Sequence, residues 1–381
     1  MINLTFKREE LLKALDYCNS SIDRKHPMTI LTCILFDFKD NECTLNATNL
    51  ETTVIAKVQL LESSQEGKIA IPAKSIYNIC SVSRSDTIIF KYDESNNVLN
   101  ITADKSKYNI SCSNYEDFTD IPKTLKEFKN VNISRLISSY RKVQFSMGEF
   151  NINRSYSGVL ITKVKNSDGS ESIELVTTDI HRLSVLTLKN FSMDVDEIED
   201  GLVVPGKNFF EITKIFSDSE NAEIAIDDDK IFVKNDKVIF ISRLLQNEFP
   251  KYRSVVGTYE EINNKEAAVI NRKELIEAIK RVTVLSSEEK IWASKYFFKG
   301  QVLEMEAHSN NGGSSTDEIL IEKGFSTDRS VAVNAKYFLD VISVIDDENV
   351  NVIVEDGPKA MTIKEENDNY LYIHMVMPLR I

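Results

Sequence analysis

The segment Ile69–Ile79, IAIPAKSIYNI, decides the fold of this chain because it recurs twice. Its counterparts are Leu202–Ile212, LVVPGKNFFEI, and Val331–Val341, VAVNAKYFLDV. Each opens with apolar residues typical of a buried strand and then carries a residue that favours a helix start, namely Pro72, Pro205 or Asn334. Apolar residues at helical spacing follow a lysine, which is Lys74, Lys207 or Lys336. The lysines lie 133 and then 129 residues apart, a period far longer than the roughly 20–50 residues of a solenoid repeat. The chain therefore contains a whole small domain three times.

Other features keep the same period. An amphipathic helix opens each repeat, with the apolar pairs Leu11/Leu12, Leu136/Ile137 and Leu275/Ile276. A polar turn precedes each quoted segment, at Ala47–Leu50, Thr177–Ile180 and Ala307–Asn310. Alternating strands close each repeat, at Tyr108–Cys112, Val238–Ser242 and Tyr370–His374. This order predicts an α+β fold in which each domain has two helices on one face of an antiparallel sheet.

Two polar stretches separate the repeats. Lys123–Val131 and Val256–Glu266 are charged and poor in glycine, which predicts short and semi-rigid linkers. We therefore expect domains at residues 1–124, 125–256 and 257–381. Each is close to the common domain size of about 100–150 residues, so each can bury its own core.

The composition argues against several classes of protein. The start, MINLTFKREELL, lacks the pattern of a secretory leader, and no apolar run reaches the ~20 residues of a membrane span. We therefore expect a cytoplasmic protein without membrane contact. No glycine-rich phosphate loop and no zinc-ligand spacing are present, so we expect no cofactor and no metal. The cysteines are expected to be buried free thiols in a reducing compartment: Cys18, Cys33, Cys43, Cys80 and Cys112.

The charge is unevenly distributed. The net charge is −13, which is unusual for a nucleic-acid binder. Six predicted helices nevertheless carry +8 and leave −21 for the rest of the chain; they span 7–20, 72–84, 132–145, 205–217, 271–285 and 334–345. This segregation favours a body whose helices face a polyanion and contact its phosphates rather than its bases. For any single helix, an ordinary solvent-exposed face is the alternative.

Longer motifs carry a family resemblance. They are ATNLE at Ala47–Glu51, SGVL at Ser157–Leu160, TDIHRL at Thr178–Leu183, FPKYR at Phe249–Arg253 and VMPLRI at Val376–Ile381. Over its whole length the chain resembles the beta subunit of bacterial DNA polymerase III, the replication sliding clamp. The tail is a specific motif, because this family ends in a Met/Leu-Pro-apolar-Arg-apolar sequence.

This resemblance implies three repeated clamp domains and a head-to-tail homodimer that closes into a ring around double-stranded DNA. It also implies a non-catalytic processivity factor. Short hydrophobic peptide motifs would attach the replicative polymerase, the clamp loader and other replication and repair proteins. Contacts with DNA would be independent of sequence, so that the ring can slide. The residues expected to face DNA are Arg24, Lys74, Arg135, Arg141, Lys142, Lys207, Arg272, Lys273, Lys280, Arg281 and Lys336.

The resemblance further implies a peptide pocket on the second domain, at its border with the third. Its apolar residues would take Leu and Phe anchors of a partner peptide, while Arg182 and Arg380 would hold peptide carbonyls or carboxylates. The expected lining is Tyr156, Thr178, His181, Arg182, Leu183, Pro250, Val255, Val376, Met377, Pro378, Leu379 and Arg380. The alternative for the tail Met377–Ile381 is that it simply packs as a last strand.

Three positions depart from the family pattern. Ile180 stands where the family usually has a small residue, often glycine, and Tyr156 stands where an aliphatic residue is frequent. Ser254 replaces a common arginine. The first two changes are expected to narrow or reshape the pocket, so the preferred peptide is expected to differ.

The dimer interface is expected to join the first domain of one chain to the third domain of the other. By position, Tyr108 and Ile110 would pack against Val284 and Leu285. Charge pairs would form from Lys105 and Lys107 to Asp317 and Glu318. An edge strand covered by its own loop is the alternative for Tyr108 and Ile110.

Two other functions remain open from the residues alone. One is an enzyme with a site around Asp179, His181 and Arg182, although no third catalytic partner is evident in the sequence. The other is a divergent relative that serves as an interaction scaffold without encircling DNA. The helix charge argues against the scaffold, whereas Ile180 and Tyr156 argue weakly for it.

Overall fold

The computed structural model describes residues 1–63, 65–149, 154–165, 169–191, 193, 195, 198, 201–227 and 229–380. The chain divides into two compact units. Unit 1 comprises Met1–Ser134 and Lys207–Leu244, and unit 2 comprises Arg135–Gly206 and Leu245–Ile381. The middle repeat contributes to both units. The domain boundaries at 124/125 and 256/257 therefore stay a prediction.

The helices of the described ranges are α1 (Arg8–Asn19), α2 (Ala73–Val82), α3 (Ile133–Val143), α4 (Gly206–Ile215), α5 (Arg253–Val256), α6 (Tyr259–Asn263), α7 (Arg272–Val282) and α8 (Ala335–Ile342). The strands are β1 (Ile2–Lys7), β2 (Cys33–Lys39), β3 (Glu42–Thr48), β4 (Thr52–Ser63), β5 (Gly67–Pro72), β6 (Thr87–Asp93), β7 (Val98–Ala103), β8 (Ser106–Ser111), β9 (Lys129–Val131), β10 (Gly158–Lys165), β11 (Glu171–Thr178), β12 (Arg182–Leu188), β13 (Leu202–Pro205), β14 (Ala222–Asp227), β15 (Lys230–Lys234), β16 (Val238–Arg243), β17 (Ala268–Asn271), β18 (Ala293–Lys299), β19 (Val302–His308), β20 (Ser314–Leu320), β21 (Arg329–Asn334), β22 (Asn349–Ile353), β23 (Met361–Glu366) and β24 (Tyr370–Val376). None of these helices is long and apolar enough to cross a membrane.

Unit 1 is built on one antiparallel sheet of 12 strands. Its main path runs β8-β7-β6-β1-β4-β16-β15-β14-β9, and β2, β3 and β5 branch from β4. The first and middle repeats meet within this sheet, where β4 pairs with β16 from Thr52↔Ser242 to Ala56↔Val238. Alternate strand residues are buried and form the core, as the rings of Phe6, Phe36 and Phe90 do, with centroids 4.9–6.2 Å apart.

Unit 2 contains an eight-stranded sheet and a four-stranded sheet. The larger sheet runs β13-β10-β11-β12-β24-β23-β22-β17, and the smaller one runs β20-β19-β18-β21. The middle and last repeats meet at β12 and β24, which pair from Arg182↔Val376 to Leu188↔Tyr370. This pairing gives hydrogen-bond partners to the backbone groups along one side of β12 and of β24, which would otherwise lie at sheet edges.

The three repeated segments form strand–helix turns as predicted. The helices α2, α4 and α8 begin directly after Pro72, Pro205 and Asn334. Each of the two prolines is the last residue of its strand and directly precedes its helix. Asn334 caps α8, since its Oδ1 accepts a hydrogen bond from the Lys336 N–H at 3.1 Å.

The predicted linkers contain regular structure. Lys129–Val131 form β9, which pairs with β14 at the end of the unit 1 sheet. Within the second linker, Thr258 and Glu261 form a capping box that starts α6. The T-x-x-E spacing of such a box is visible in the sequence, so this helix could have been predicted.

Ionic contacts reinforce the junction of β12 and β24 in unit 2. Glu366 accepts hydrogen bonds from Lys189 Nζ and Tyr259 OH, each at 2.8 Å, and lies 2.8 Å from Lys364 Nζ. Burial alone would raise the pKa of Glu366, but the hydrogen bonds from Lys189, Lys364 and Tyr259 outweigh it and lower the pKa to about 2. The ionised carboxylate is therefore the form that stabilises the folded unit.

This pKa predicts an acid-dependent loss of stability. Since the folded pKa lies below the unfolded value of about 4.5, the contribution of Glu366 is fully present above that value. It is lost as the pH falls through about 2. We expect Glu366→Gln to reduce the free energy of unfolding at pH 7 and to have progressively less effect toward pH 2. Urea denaturation of both proteins between pH 7 and pH 2.5 measures this, and a difference independent of pH would contradict it.

Candidate functional site

The polar turn of the second repeat is the centre of the candidate site. Oγ1 of Thr178 accepts a hydrogen bond from the Ile180 N–H at 3.1 Å and donates one to the Arg182 carbonyl at 2.7 Å. Oδ1 of Asp179 accepts from the N–H groups of His181 and Arg182 at 3.0 and 2.9 Å. These local bonds are typical of Thr and Asp in turns, and they fix the backbone between β11 and β12.

The turn of the first repeat has the same hydrogen bonds. Thr48 Oγ1 accepts from the Leu50 N–H at 3.1 Å and donates to the Thr52 carbonyl at 3.0 Å. Asn49 Oδ1 accepts from the N–H groups of Glu51 and Thr52 at 3.0 and 2.8 Å. The predicted correspondence of the two turns is confirmed. The first turn is therefore an internal control for the second.

Both turns hold a bulky residue in a left-handed backbone conformation. The φ angle is 78° at Ile180 and 73° at Leu50. For a β-branched residue this conformation is a genuine outlier, and it costs roughly 1–2 kcal/mol. The side chain of Ile180 is about half exposed, so it recovers little of this cost by burial.

Replacing Ile180 by glycine is expected to stabilise the protein by about 0.5–1 kcal/mol, because relief of the strain exceeds the extra chain entropy of glycine. Urea denaturation at pH 7 measures the change. Leu50→Gly is the matched control and is expected to have a smaller effect, since leucine is not branched at Cβ. A net loss of stability in Ile180→Gly would show that packing of the isoleucine outweighs its backbone strain.

Arg182 is engaged within unit 2 and does not project freely toward a ligand. Its Nε donates to Asp179 Oδ2 at 2.9 Å, and its Nη1 donates to Asp340 Oδ2 at 2.5 Å. Its guanidinium also lies 4.2 Å from the ring centroid of Tyr337. Asp340 and Tyr337 belong to α8, so Arg182 ties the turn to the last repeat. Asp179 is likewise engaged, because its carboxylate accepts hydrogen bonds from the backbone of the turn and from Arg182 Nε.

The chain terminus leaves the sheet beside this turn. β24 ends at Val376, opposite Arg182, and the Met377 N–H then donates to the His181 carbonyl at 2.9 Å. The Leu379 N–H donates to the Ala332 carbonyl at 2.8 Å. The three residues Met377–Leu379 are half-buried and Arg380 is exposed. The described tail residues, Met377–Arg380, are therefore not part of a strand. Ile381, which completes the tail motif, lies outside the described residues.

A buried apolar cluster underlies the turn. Leu183 belongs to it together with Val176, Tyr252, Val256 and Met375, all in unit 2. Two further predicted residues lie in the segment that contains Tyr252: Pro250 is half-buried and Val255 is exposed. His181 is also exposed. The segment that contains Pro250 and Val255 therefore contributes half-buried and exposed apolar side chains, while its Tyr252 and Val256 belong to the buried cluster.

Tyr156 approaches the turn through Gly148. The Gly148 N–H donates to the Tyr156 carbonyl at 2.8 Å. A Cβ at Gly148 would lie 3.0 Å from Tyr156 Cβ and 3.5 Å from Asp179 Cα, so a larger residue would push the two segments apart. Tyr156 itself is half-buried. Tyr156, which departs from the family pattern, therefore lies close to Asp179, with Gly148 next to both residues.

A separate cavity of about 310 Å³ in unit 2 shares none of the predicted residues. It is lined in part by Lys265, Lys359 and Glu355, and both lysines contact the Glu355 carboxylate, at 2.8 and 2.9 Å. Arg329 and Asp356 form a further ion pair in its wall. We do not assign this cavity to the candidate site.

The repeated lysines occupy equivalent positions. Lys74, Lys207 and Lys336 are exposed in the first turns of α2, α4 and α8. The other predicted DNA-facing residues that are exposed are Arg24, Arg141, Lys273, Lys280 and Arg281. Arg272 is half-buried, and its Nε donates to the Asp347 carbonyl at 3.1 Å. Arg281 Nε donates to Asp317 Oδ2 at 2.7 Å.

Two predicted DNA-facing residues are committed to contacts inside unit 2. Arg135 donates to the carbonyls of Lys189, Asn190 and Asn369 at 2.9–3.1 Å. The side chain of Lys142 is 12% exposed, and its Nζ contacts Asp346, Glu365 and the Val344 carbonyl at 2.6–3.3 Å. The sequence pattern could not distinguish these cations from their exposed neighbours, because their partners are more than 50 positions away along the chain or come from another repeat.

The residues predicted at the dimer interface lie at sheet edges or beside them. Tyr108 and Ile110 are half-buried on β8, which is an edge strand of the unit 1 sheet. Val284 and Leu285 follow α7 in unit 2 and are 63% and 52% exposed. β20 forms an edge of the four-stranded sheet in the same unit.

The five cysteines are unpaired; Cys112 is half-buried and the others are buried. Burial raises the pKa of the Cys80 thiol to about 12, so this thiol stays protonated and unreactive. No group of three or more His, Cys, Asp or Glu side chains in the described part of the chain could hold a metal ion.

Sequence profiles of known families match nearly the whole chain. The DNA polymerase III beta subunit, N-terminal domain, matches residues 2–122; the central domain matches 130–251; and the C-terminal domain matches 262–380. The beta sliding clamp of Pseudomonas putida is 26% identical over 385 residues, and that of Escherichia coli strain K12 is 24% identical over 388 residues. Both alignments cover 100% of each chain.

Solved structures show the same fold. A sliding clamp from Pseudomonas aeruginosa, solved with a ligand, superposes with a TM-score of 0.89 at 24% identity and covers 100% of both chains. The beta sliding clamp of C. crescentus superposes with a TM-score of 0.90 at 21% identity and covers 100% of this chain and 99% of its own. A clamp from Bartonella birtlesii bound to griselimycin gives a TM-score of 0.89 at 22% identity, with 100% of both chains covered.

Proposed function

The chain belongs to the DNA polymerase III beta subunit family and is a DNA sliding clamp, a non-catalytic processivity factor with the three-domain clamp fold; from this premise we propose that two copies close head to tail around duplex DNA. The observation that carries the proposal is the exposed lysine at the start of α2, α4 and α8. Three equivalent cations in one chain become six in a dimer, a regular set of contacts for a duplex that passes through a ring.

The proposed contact with DNA is made to phosphates. Exposed lysines and arginines exchange counterions with the backbone and do not read bases, so the ring is held by its closure and remains free to slide. The proposed DNA-facing set is smaller than the sequence predicted, because Arg135 and Lys142 serve the interior of unit 2. It comprises Arg24, Lys74, Arg141, Lys207, Arg272, Lys273, Lys280, Arg281 and Lys336.

The proposed dimer interface pairs β8 of one chain with the α7–β20 region of the other. Exposed sheet edges need protection, and addition of a strand from a second chain provides it. The half-buried Tyr108 and Ile110 would then cover Val284 and Leu285. Arg281 already neutralises Asp317, so the exposed Glu318 is the better partner for the lysines of β8.

We place the peptide pocket at the turn Thr178–Arg182 and the chain terminus. Apolar anchors of a short peptide would enter between Met377, Leu379 and Val255, above the floor that contains Leu183. The partners proposed for this pocket are the replicative polymerase, the clamp loader and other replication and repair proteins of a bacterial cytoplasm. Arg380 remains available for a peptide carboxylate, whereas Arg182 acts as part of the wall.

Retention on DNA of different topology tests the ring. The protein is loaded on a nicked circle by a bacterial clamp loader with ATP, and the complex is passed over a sizing column before and after linearisation of the DNA. We expect retention on the circle and loss from the linear form. Equal loss from both would overturn encirclement and favour the interaction scaffold.

A further inference from the structure

A buried carboxylate lies behind the proposed peptide pocket. Glu174, on β11, is 2% exposed, and among the described acidic residues only Glu365 is comparably buried. Glu174 lies in the apolar strand segment Ile173–Val176, where a charge needs specific partners to be tolerated. Its burial therefore calls for a structural or functional explanation.

Three donors satisfy this carboxylate. Thr187 Oγ1 donates to Oε1 at 2.8 Å, and Tyr252 OH donates to Oε2 at 2.7 Å. Arg253 Nη2 lies 2.6 Å from the same Oε2. Thr187 belongs to the neighbouring strand β12, whereas Tyr252 and Arg253 belong to the segment that follows β16. The carboxylate thus joins a rigid sheet to a connecting segment.

That segment carries two residues of the proposed pocket. The Tyr252 N–H donates to the Pro250 carbonyl at 2.7 Å, and the Val255 N–H donates to the Tyr252 carbonyl at 2.9 Å. Burial, and then the nearby Glu174 charge, raise the pKa of the Tyr252 phenol, so it remains a donor at neutral pH. The position of Tyr252 consequently sets the positions of Pro250 and Val255.

We propose that Glu174 is a positioning residue of the peptide pocket, which fixes the Pro250–Val255 rim against the central sheet through Tyr252 and Arg253. This inference rests on the proposed peptide pocket and adds a residue that does not itself touch the peptide. Without the carboxylate, the buried Tyr252 hydroxyl and the Arg253 guanidinium lose their common acceptor, and the segment that contains α5 loses these hydrogen bonds to the sheet. The rim then samples several positions, and a bound peptide must order it.

Peptide affinity in the full-length protein tests the proposal. The probe is a fluorescein-labelled synthetic nonapeptide with one Leu and one Phe anchor, titrated by fluorescence anisotropy. Glu174→Ala is expected to raise its Kd at least tenfold. Glu174→Gln is expected to stay within about threefold of the parent protein, because its amide oxygen can accept from Tyr252 and Arg253 while its NH2 faces Thr187 Oγ1. An unchanged Kd in Glu174→Ala would overturn the proposal.

Two controls separate positioning from general destabilisation. Phe298→Leu, in the core of the four-stranded sheet, lowers stability in the same unit away from the segment and is expected to leave the Kd unchanged. Tyr252→Phe removes one donor with little change of shape, so Glu174→Ala in that background is expected to have a smaller further effect than in the parent. Equal weakening by Phe298→Leu, or full additivity of the pair, would contradict a positioning role.

The same measurements distinguish failure of the proposed peptide pocket from failure of the positioning role proposed for Glu174. Absence of peptide binding by the parent protein would overturn the pocket and, with it, the role of Glu174. Binding by the parent with unaltered binding by Glu174→Ala would leave the pocket standing and reject only the positioning role. Less Glu174→Ala is expected to be loaded on nicked circular DNA, because the clamp loader is a proposed partner of the pocket. The fraction of the loaded protein that stays on the circle is expected to be unchanged, since the contact lies inside unit 2 and outside the proposed dimer interface.

Discussion

Leu285→Asp is expected to convert the dimer into monomers and to abolish retention on closed DNA. Leu285 is 52% exposed and adjoins Val284, which is 63% exposed, so the proposed interface would bury both side chains. Loss of a central apolar contact costs at least about 2 kcal/mol, and an unpaired buried charge adds to this. A head-to-tail ring contains this interface twice, so a cost of about 2 kcal/mol at each interface gives roughly 4 kcal/mol for the dimer. This free energy corresponds to an increase of about a thousandfold in the dissociation constant.

Sedimentation equilibrium over a range of protein concentrations measures this dissociation constant, and the nicked-circle assay measures retention. Leu125→Asp is the matched control, because Leu125 is fully exposed in the segment between the first two repeats and is outside the proposed interface. Its dimer is expected to be unaffected. If Leu285→Asp dimerised within threefold of the parent, the interface would have to lie elsewhere.

Lys142→Met is expected to lower the free energy of unfolding by about 3 kcal/mol without weakening DNA binding. The lysine is 12% exposed, and its Nζ lies 3.3 Å from Glu365, which is 1% exposed. Removal of one partner of a buried ion pair costs about 3–5 kcal/mol. The lower end applies here, because Glu365 keeps hydrogen bonds from the N–H groups of Asp346 and Asp347 at 2.6 and 3.1 Å.

Lys207→Met, unlike Lys142→Met, is expected to weaken DNA binding and to leave the stability nearly unchanged. Lys207 is exposed on α4, so its loss should change the stability by less than about 0.5 kcal/mol. The substitution should also make the slope of log K for DNA binding against log [salt] less steep, by up to about the contribution of one phosphate contact for each lysine removed. Urea denaturation, together with DNA binding between 50 and 200 mM salt, measures both quantities for both variants. Lower salt dependence with unchanged stability in Lys142→Met would return that residue to the DNA-facing set.

Glu174 could have been singled out from the sequence, because it is an acidic residue within an apolar strand segment. An acidic residue between Ile173 and Leu175 in a strand that is otherwise apolar is an exception to the hydrophobic pattern, and such exceptions mark paired or functional groups. Its partners Tyr252 and Arg253 stand in the FPKYR motif, about 78 positions away. Nothing local connects the two segments, so the role of Glu174 required the folded structure.

The sequence by itself determined the features that depend on neighbouring residues. Helix starts at Asn334, the Thr-Asx turns at Thr48 and Thr178, and the exposed lysines of α2, α4 and α8 all follow from hydrogen bonds or periodicities that span a few positions. The family motifs added the sliding-clamp function. These features were predictable because short-range geometry repeats wherever the same residues recur.

Only the tertiary structure decided which long-range contacts form. It paired β4 with β16 and β12 with β24, which distributes the middle repeat between two compact units. It also placed Lys142 against Glu365 and Arg182 against Asp340, contacts that separate these cations from those left exposed. The physical reason is that the environment of a charge depends on chain segments more than 150 positions away, and the pattern around one residue carries no record of them.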